Sequence, residues 1–374
     1  MELELIKFIR NHSDWEERLS ALPYCLTITR KEKFGKHLVM FKYSQIESDF
    51  SNEIVKEARG IILDEDSLEI VSYPFRKFMN YGEANADEID WTSASVLEKI
   101  DGSLIKIVRI GSDFLISTNG TIDADDAPIA EQIGCPFKTF GDAVRFALGG
   151  QDLFGLFPEE NVTYMFELVS PFTRVVIPYP ETELYFLGCR DNVTLQETLP
   201  FDHPLFKLFK TPKVFPLKTL DDCISSVKDF PWNEEGYVVV DSKFHRIKVK
   251  SPAWIATHHL VGNGALSSTR CLELVRLNEV SEVLNYFPNL KDEIEEIKQK
   301  YLALRDASEK SWKNLNEQFE ISKTPRKDLA IWITSHFQIP GIAFSLLDSK
   351  VSSVEEWLLN CSLDALAKHL GLKN

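Results

Sequence analysis

The sequence predicts an α+β fold: a domain of antiparallel sheets with flanking helices, followed by an all-helical C-terminal domain. Up to about residue 250 the chain is a series of short β-branched or aromatic runs, each bounded by turn residues. Beyond that point the apolar residues recur at three- and four-residue steps instead. Its 374 residues suffice for two domains, which we place at 1–252, including an N-terminal subdomain, and 253–374.

Seven runs in the first part predict strands, because they are rich in Val, Ile, Phe and Tyr and end at Gly, Asp, Asn or Pro. Several are apolar nearly throughout, as expected of strands buried on both faces. They are HLVMFKY (37–43), ARGIILD (58–64), SLIKIVRI (103–110), DFLISTNG (113–120), VTYMFELV (162–169), ELYFLGCR (183–190) and EEGYVVVD (234–241).

Helices are expected at two places in the first part and over most of the second. DAPIAEQIG (126–134) and FGDAVRFALGG (140–150) both resemble helices that end at a glycine. In the second part, residues 286–320 predict one long amphipathic helix, and further helical patterns follow. Its expected apolar face consists of Leu290, Ile294, Ile297, Tyr301, Leu304, Trp312, Leu315 and Phe319.

Composition indicates a cytoplasmic protein without a membrane segment. Hydrophobic residues make up 44% of the chain and charged residues 26%. No apolar run approaches the roughly 20 residues that span a bilayer, and the N-terminus lacks the apolar core of a signal peptide. The six cysteines are scattered, so we expect reduced thiols and no zinc site. The net charge of −15 argues against nonspecific nucleic-acid binding by bulk attraction.

The segment EKIDGS contains the first candidate for chemistry, Lys99. If the segment is extended, Lys99 and Asp101 share a face while Ile100 points away, and Gly102 allows a backbone or ligand to approach closely. Lysine's ordinary pKa of about 10.4 keeps the amine charged, so a nucleophilic lysine needs desolvation or cationic neighbours. By itself the segment leaves two readings open: a solvated residue at a strand end, or a nucleophile.

Two further stretches concentrate charge in strand-like surroundings. Residues 233–251, NEEGYVVVDSKFHRIKVKS, place Arg246, Lys248 and Lys250 on one face of a strand, where they could hold polyphosphate. The alternative is a solvent-facing hairpin. Glu167 sits in the apolar run YMFELV, and an ionised carboxylate there is buried only if it is paired or binds a metal. An edge-strand glutamate facing water is its alternative.

Taken together, these stretches resemble one known family. KxDG, an apolar-flanked glutamate, EGYVV and KxK, in this order, are typical of covalent nucleotidyltransferases. The segments ARGII, YPFRKFMNYGE, EKIDGSL, FELVSPFTRVV, EEGYVVV and KVKS are similar to the RNA ligase 1 family of T-even bacteriophages over residues 40–255. The resemblance implies a nucleotidyltransferase domain of the ATP-grasp-like DNA/RNA ligase fold, with a helical tail of that family's type.

The resemblance also implies a role for each matching residue. Lys99 would attack the ATP α-phosphate, forming lysyl–AMP, and Lys248 and Lys250 would hold that phosphate and assist the transfers. Glu167 and Glu235 would bind Mg²⁺ or Mn²⁺, with Glu167 also near the ribose. The remaining residues expected to bind ATP are Arg59 and Lys77 at the β- and γ-phosphates, Phe186 and Leu187 at the adenine, and Asp101, Gly102 and Asn119. Asn119 departs from the pattern, because the family typically places a basic residue before this glycine.

The activity implied is joining of RNA 5′-phosphate and 3′-hydroxyl ends through lysyl–AMP and an RNA adenylate, with RNA or nicked tRNA as partner and repair as the role. We expect a monomer. A DNA ligase or capping enzyme would carry an OB-fold after the lysine pair, where this sequence predicts helices. A binding module that has lost catalysis would lack some of the lysines and glutamates present here. Lys323, Arg326 and Lys327 could contact RNA or could form a solvated loop.

Overall fold

The computed structural model describes residues 2–45, 47–255, 268–277, 280, 284, 290–321 and 323–372. The chain divides into two compact units, residues 1–258 and 259–374. The division lies a few residues beyond the boundary expected at 252. Within the described residues, no helix combines the length and apolar composition that a bilayer crossing requires.

The first unit contains three antiparallel or mixed sheets, and the first of them carries the N-terminal helices. Its strand order follows the chain: β1 (Leu26–Lys33), β2 (Lys36–Tyr43), β3 (Arg59–Asp64) and β4 (Ile70–Ser72). One face is covered by α1 (Glu4–Asn11), α2 (Trp15–Ser20) and α3 (Glu53–Glu57). Leu5, Leu19 and Phe41 are fully buried in the core between them.

The second sheet has the order β11-β10-β9-β7-β8 and is antiparallel throughout. Its inner face packs on α4 (Phe140–Leu148) and α5 (Leu153–Leu156). Helix α4 starts with a Thr139–Asp142 capping box. It ends at Gly149, and the sequence predicted this glycine end. The strands are β7 (Ser103–Ile110), β8 (Asp113–Thr118), β9 (Val162–Val169), β10 (Glu183–Asp191) and β11 (Glu197–Thr198).

The third sheet has the order β12-β6-β13-β14-β5, in which only the β14–β5 pair is parallel. Helix α6 (Leu220–Val227) buries Cys223 and Val227 against it. The strands are β5 (Met79–Asn80), β6 (Ser95–Glu98), β12 (Val214–Phe215), β13 (Gly236–Val240) and β14 (Arg246–Lys250). All seven strands predicted from sequence are therefore present in one of the three sheets.

The prediction of a helix at 126–134 is wrong. A 3-10 turn at Ala124–Asp126 precedes this segment, and Pro128 forms an isolated bridge with Thr139. Proline lacks the amide hydrogen that a helix interior needs, and it disfavours a helical conformation in the residue before it. Ile129 packs on the core from an irregular segment instead, while Ile133 is fully exposed.

The described part of the second unit is helical. Its longest helix buries Ile294, Ile297, Tyr301, Leu304 and Leu315, which is most of the apolar face predicted for residues 286–320. Residues 286–289 of that prediction lie outside the described residues. The helices are α7 (Ser268–Arg276), α8 (Lys291–Gln318), α9 (Arg326–His336), α10 (Pro340–Leu347), α11 (Val354–Asn360) and α12 (Leu363–His369).

Candidate active site

A cavity of about 310 Å³ lies between the second and third sheets. Its apolar wall combines Leu104 and Leu187 of the second sheet with Leu97 and Val238 of the third. Phe75 and Phe78, between β4 and β5, complete this wall. The polar residues that line the cavity are Arg59, Glu98, Lys99, Asn119, Glu167, Arg246, Lys248 and Lys250. Most of the residues singled out in the sequence therefore converge on one place.

Lys99 lies in the turn between β6 and β7 and lines the cavity. Its backbone amide donates to the carbonyl of Gly236 at 2.9 Å, which fixes the turn against the start of β13. Its Nζ lies 2.8 Å and 2.9 Å from the two carboxylate oxygens of Glu235. The ammonium is thus held in a defined position at the cavity wall rather than left free in solvent.

Asp101 does not line the cavity, although the sequence predicted that it shares a face with Lys99. Strand β6 ends at Glu98, so the alternation expected for an extended segment does not apply to residues 99–102. Ile100 lines the cavity, whereas Asp101 is buried outside it. Its Oδ2 accepts the backbone amides of Val176 and Ile177 at 2.9 Å and 2.7 Å. Asp101 therefore anchors the loop after β9 to the lysine turn.

Two glycines allow the lysine turn to lie against its neighbours. A Cβ on Gly102 would lie 2.4 Å from the carbonyl oxygen of Leu168 in β9. A Cβ on Gly236 would lie 2.2 Å from the carbonyl oxygen of Val249, and Gly236 has a φ of +138°. Any side chain at either position would push the turn away from β9 or separate β13 from β14.

The two glutamates occupy different depths. Glu167 faces the cavity from β9, while Glu235 lies behind Lys99 and is only 3% exposed. Burial raises the pKa of Glu167 to about 7, against the lowering effect of Lys99. Burial also raises the pKa of Glu235, while Lys99 and Lys250 oppose that shift. Both carboxylates therefore lie where additional positive charge would be favourable.

Strand β14 presents its three cations to the cavity, as the alternation of the sequence predicted. The Nζ of Lys250 lies 3.7 Å from Glu235 Oε1 and 4.6 Å from the ring centre of Trp254. Lys248 lies over the ring of Phe78 at 5.4 Å. The alternative of a solvent-facing hairpin is wrong, because Arg246 and Lys250 are buried.

Arg59 and Asn119 approach the cavity from β3 and from the end of β8. Arg59 lies over Phe78 at 5.2 Å, and Gly60 approaches the backbone of Asn119 so closely that a Cβ would lie 2.7 Å from its carbonyl oxygen. Within the described residues, Nε and Nη1 of Arg59 and Oδ1 of Asn119 are buried without hydrogen-bond partners. Buried polar groups are normally paired, so these atoms are available to a ligand.

Leu187 lines the cavity but Phe186 does not. The register of β10 against β9 shifts between Phe186 and Gly188, so Leu187 is the extra residue of a β-bulge. Phe186 is fully buried among Phe166 and other core residues of the second sheet. A bulge redirects side chains locally, which separates these two neighbours.

Lys77 is likewise not among the residues that line the cavity. Its Nζ lies over the rings of Tyr43 and Phe50, at 5.1 Å and 5.0 Å, and its backbone amide donates to the Lys56 carbonyl. Its expected contact with the terminal phosphates of ATP therefore stays a prediction.

Sequence reasoning missed two buried arrangements beside the cavity. Arg246 is held by Glu197 of β11 at 2.5 Å, and the same carboxylate pairs with Arg190. Lys106 of β7 is fully buried and donates to the Gly60 carbonyl. Burial, and next the charge of Arg59, lower the pKa of Lys106 to about 7. A lysine inside an otherwise apolar strand, SLIKIVRI, is the only sequence signal for it.

The carboxylates fit a divalent cation that is shared with a phosphate ligand. Mg²⁺ is usually held by one or two carboxylates plus substrate phosphates and water. Glu167 supplies one carboxylate at the cavity wall, and its raised pKa reflects buried negative charge that a cation would offset. Within the described residues no cluster of three or more His, Cys, Asp and Glu forms an all-protein metal site.

The cavity combines a lysine turn between packed antiparallel sheets with a facing strand that carries two lysines, the arrangement that the resemblance to nucleotidyltransferases led us to expect. A model of the RNA ligase family matches residues 57–254. The chain belongs to this family, and the match includes every candidate site residue predicted from the sequence.

Individual relatives extend the likeness beyond that segment. A putative bifunctional polynucleotide kinase/RNA ligase of Autographa californica nuclear polyhedrosis virus is 29% identical over 280 residues. That match covers 69% of this chain but 38% of the viral protein, so the chain spans well under half of this relative. An RNA ligase of Rhodothermus phage RM378 is 22% identical over 357 residues, covering 77% of this chain and 79% of the phage protein.

Solved structures give more distant matches. An archaeal ATP-dependent RNA ligase is 14% identical, with a TM-score of 0.45, over 74% of this chain and 68% of its own. A Naegleria gruberi RNA ligase variant with AMP and Mn is 18% identical, with a TM-score of 0.34, over 44% of this chain and 52% of its own.

Proposed function

We propose that the chain is an ATP-dependent RNA ligase that uses Lys99 as its nucleophile. The observation that carries this proposal is the convergence of Lys99, Lys248 and Lys250 at one cavity, with Glu235 behind Lys99, in a member of the RNA ligase family. A ligase needs an amine that is positioned but not buried, cations for the phosphates, and an apolar wall for the base. The cavity supplies all three.

In the first step the Lys99 amine, after losing a proton, attacks the α-phosphorus of ATP. A phosphoramidate N–P bond forms and the bond to the pyrophosphate leaving group breaks. Glu235 orients the amine at 2.8 Å, and its carboxylate is the nearest proton acceptor. Lys248 and Lys250 supply positive charge for the developing charge on the phosphate oxygens.

A bound divalent metal ion would add charge neutralisation at the phosphates, and Glu167 and Glu235 are the residues that would hold it. Arg59, with two buried nitrogens available, would bind a phosphate further from the nucleophile. Leu187, Val238 and Phe78 provide apolar surface for the nucleobase. Asn119 is a neutral group that can hydrogen-bond the ribose or a phosphate.

In the second step AMP moves from Lys99 to an RNA 5′-phosphate, giving an RNA adenylate. In the third, an RNA 3′-hydroxyl attacks the adenylated phosphate, forms the phosphodiester bond and releases AMP. The covalent intermediate divides one difficult condensation into separate transfers. We propose single-stranded or broken RNA as substrate, nicked tRNA among the candidates, and repair as the role.

The test is retention of label from α-labelled ATP on the protein in the presence of Mg²⁺ or Mn²⁺. Wild type is expected to retain label, and Lys99→Ala to retain none. Adding 5′-phosphorylated RNA should discharge the label and give ligated product. Absence of label on wild type, or persistence of label on the variant, would exclude the proposed nucleophile.

A parallel comparison of 5′-phosphorylated RNA, nicked tRNA and nicked duplex DNA tests the substrate. Discharge of the label to nicked DNA in preference to RNA would favour a DNA ligase. Within the second unit the expected RNA contact remains a proposal. Of its basic cluster, Lys323 pairs with Glu320 at 2.6 Å and Arg326 with Asp348 at 2.5 Å, both exposed.

A further inference from the structure

Residues 204–219, PLFKLFKTPKVFPLKT, form a basic segment that differs from the rest of this acidic chain. It contains four lysines and no acidic residue, while the whole chain has a net charge of −15. Its lysines alternate with phenylalanine, leucine and valine. Cations interleaved with aromatic and apolar groups are the arrangement by which proteins hold single-stranded nucleic acid.

The basic segment is fixed along the edge of the cavity by backbone hydrogen bonds to both sheets. On one side, the amide of Phe186 in β10 donates to the Lys210 carbonyl at 2.8 Å. On the other, the amide of Glu98 in β6 donates to the Lys213 carbonyl at 2.8 Å, and Val214 pairs with Leu97. Glu98 immediately precedes Lys99, so the segment passes directly beside the lysine turn.

The side chains of the basic segment point mostly to solvent. Leu208 is 61% exposed, Val214 56% and Phe206 43%, although residues of these types are usually buried. The Lys213 side chain is 77% exposed. Of the whole segment, every residue of which the structure describes, only Pro212 lines the cavity. The four lysines therefore lie outside the space that would hold ATP.

The lysines are also electrostatically available. Lys210 pairs with Glu183 at 2.6 Å and Lys213 with Glu98 at 3.7 Å, both in solvent-exposed settings where an ion pair contributes little. Lys207 and Lys218 form no ion pair with any residue in the described part of the chain. An incoming phosphodiester backbone would meet four cations, two of which have no ion-pair partner among the described residues.

We propose that the basic segment is the docking surface for the single-stranded RNA whose 5′-phosphate receives AMP from Lys99. The phosphates would lie along the lysines, and unpaired bases would pack on Phe206 and its apolar neighbours. This inference rests on the proposed function, since it assigns the nucleic-acid site of that same reaction. It accounts for a local basic surface in a chain whose net charge disfavours nucleic acid.

The test separates the ATP step from the RNA step with one variant. In Lys207→Glu/Lys213→Glu/Lys218→Glu, label from α-labelled ATP should form on Lys99 at a rate within about twofold of wild type. Transfer of AMP from the isolated adenylylated protein to a short 5′-phosphorylated oligoribonucleotide should slow by about tenfold or more, through a raised KM for RNA. The matched control is Lys138→Glu, an exposed lysine outside the cavity and the segment.

Two further readouts identify the mode of binding. The slope of log K against log salt for the oligoribonucleotide should fall by about 0.7 for each lost phosphate contact. Phe206→Ala should weaken binding without changing that slope. The inference fails if AMP transfer by the triple variant equals that of the control. It also fails if label formation drops as much as transfer, because the segment would then serve ATP or the fold.

Failure of the proposed function gives a different result. If wild-type protein acquires no label from ATP, the reaction itself is absent. The docking inference is judged only on protein that has been shown to carry AMP on Lys99, with binding to the oligoribonucleotide as the independent measurement.

Discussion

Lys99 and Lys106 lie seven residues apart but occupy opposite environments. Lys99, in the turn between β6 and β7, lines the cavity and contacts the Glu235 carboxylate at 2.8 Å. Lys106, inside β7, has no solvent exposure and a backbone carbonyl as its hydrogen-bond acceptor. Burial lowers the pKa of Lys106 to about 7. The lowered pKa of Lys106 therefore belongs to an amine that is sealed off from substrate, while access and orientation favour Lys99 as the proposed nucleophile.

The largest effect on label incorporation should appear when Lys99 and Lys106 are substituted in separate variants. Lys99→Arg keeps the positive charge beside Glu235 but cannot attack, so the rate of label incorporation should fall by on the order of a thousandfold. Lys106→Met should retain label on Lys99, with a rate reduced by no more than about tenfold. Mass spectrometry of the labelled peptide gives the position, and AMP found on Lys106 would reverse the comparison.

A smaller but still large effect is expected from Glu235, the carboxylate that contacts the proposed nucleophile. Glu235→Gln removes the charge that contacts both Lys99 and Lys250, so label formation should fall by about a hundredfold. Glu65→Gln breaks only an exposed ion pair with Arg30 and serves as the control. Equal rates for the two variants would show that Lys99 does not need its carboxylate.

Lys106 should also affect the pH dependence of stability. Its pKa is about 7 in the folded protein and ordinary, near 10.5, when unfolded. The unfolded chain binds more protons between these values, so the free energy of unfolding should rise with pH across that window. Between pH 7 and 9, wild type should gain about 2 kcal/mol relative to Lys106→Met.

Denaturant unfolding at the two pH values measures this difference. Lys138→Met, at an exposed position, is the control and should keep the wild-type dependence. A wild-type curve parallel to that of Lys106→Met would mean that Lys106 stays protonated in the folded protein.

The smallest effect on stability should come from Glu57, a buried carboxylate at the end of α3. Glu57 accepts the amides of Glu4 and Leu5 at 3.1 Å and 2.8 Å, and burial raises its pKa to about 7. The folded protein then binds more protons than the unfolded chain between pH 4.5 and 7, so stability should decline as pH rises through this range.

Glu57→Gln should flatten this decline, which amounts to about 1 kcal/mol between pH 5.5 and 6.5. Thermal or denaturant unfolding at both ends of the range measures it, with Glu32→Gln at an exposed position for comparison. If the variant instead loses stability equally at both ends, the amide hydrogen bonds at the start of α1 dominate over the titration.

The sequence was most informative where the pattern within a single strand determines which way its side chains point. The alternation of Arg246, Lys248 and Lys250 needs no knowledge of neighbours, and the cations face the cavity as expected. The motif order also predicted the family. Prediction was wrong or incomplete where the backbone is locally irregular. Strand β6 ends at Glu98, and Asp101 does not line the cavity. Pro128 prevents the helix expected at 126–134.

Other features depended on contacts between distant segments. The burial of Lys106 is explained only by the Gly60 carbonyl of β3, which accepts its hydrogen bond. The position of Arg246 is explained only by its ion pair with Glu197 of β11. The bulge that separates Leu187 from Phe186 arises from pairing between β9 and β10. The basic segment can be recognised in the sequence by its lysines. Its position beside the lysine turn follows only from its backbone hydrogen bonds to both sheets.

The close approach at Gly102 and Gly236 bears on how mutational scans of this protein should be interpreted. Neither residue offers a functional group, yet a single methyl at Gly102 would overlap the Leu168 carbonyl, and at Gly236 the Val249 carbonyl. Both positions should tolerate substitution as poorly as Lys99 itself. Ranking residues by intolerance to substitution alone would therefore group these two glycines with the proposed nucleophile. Only label formation, measured at equal concentrations of folded protein, would distinguish them.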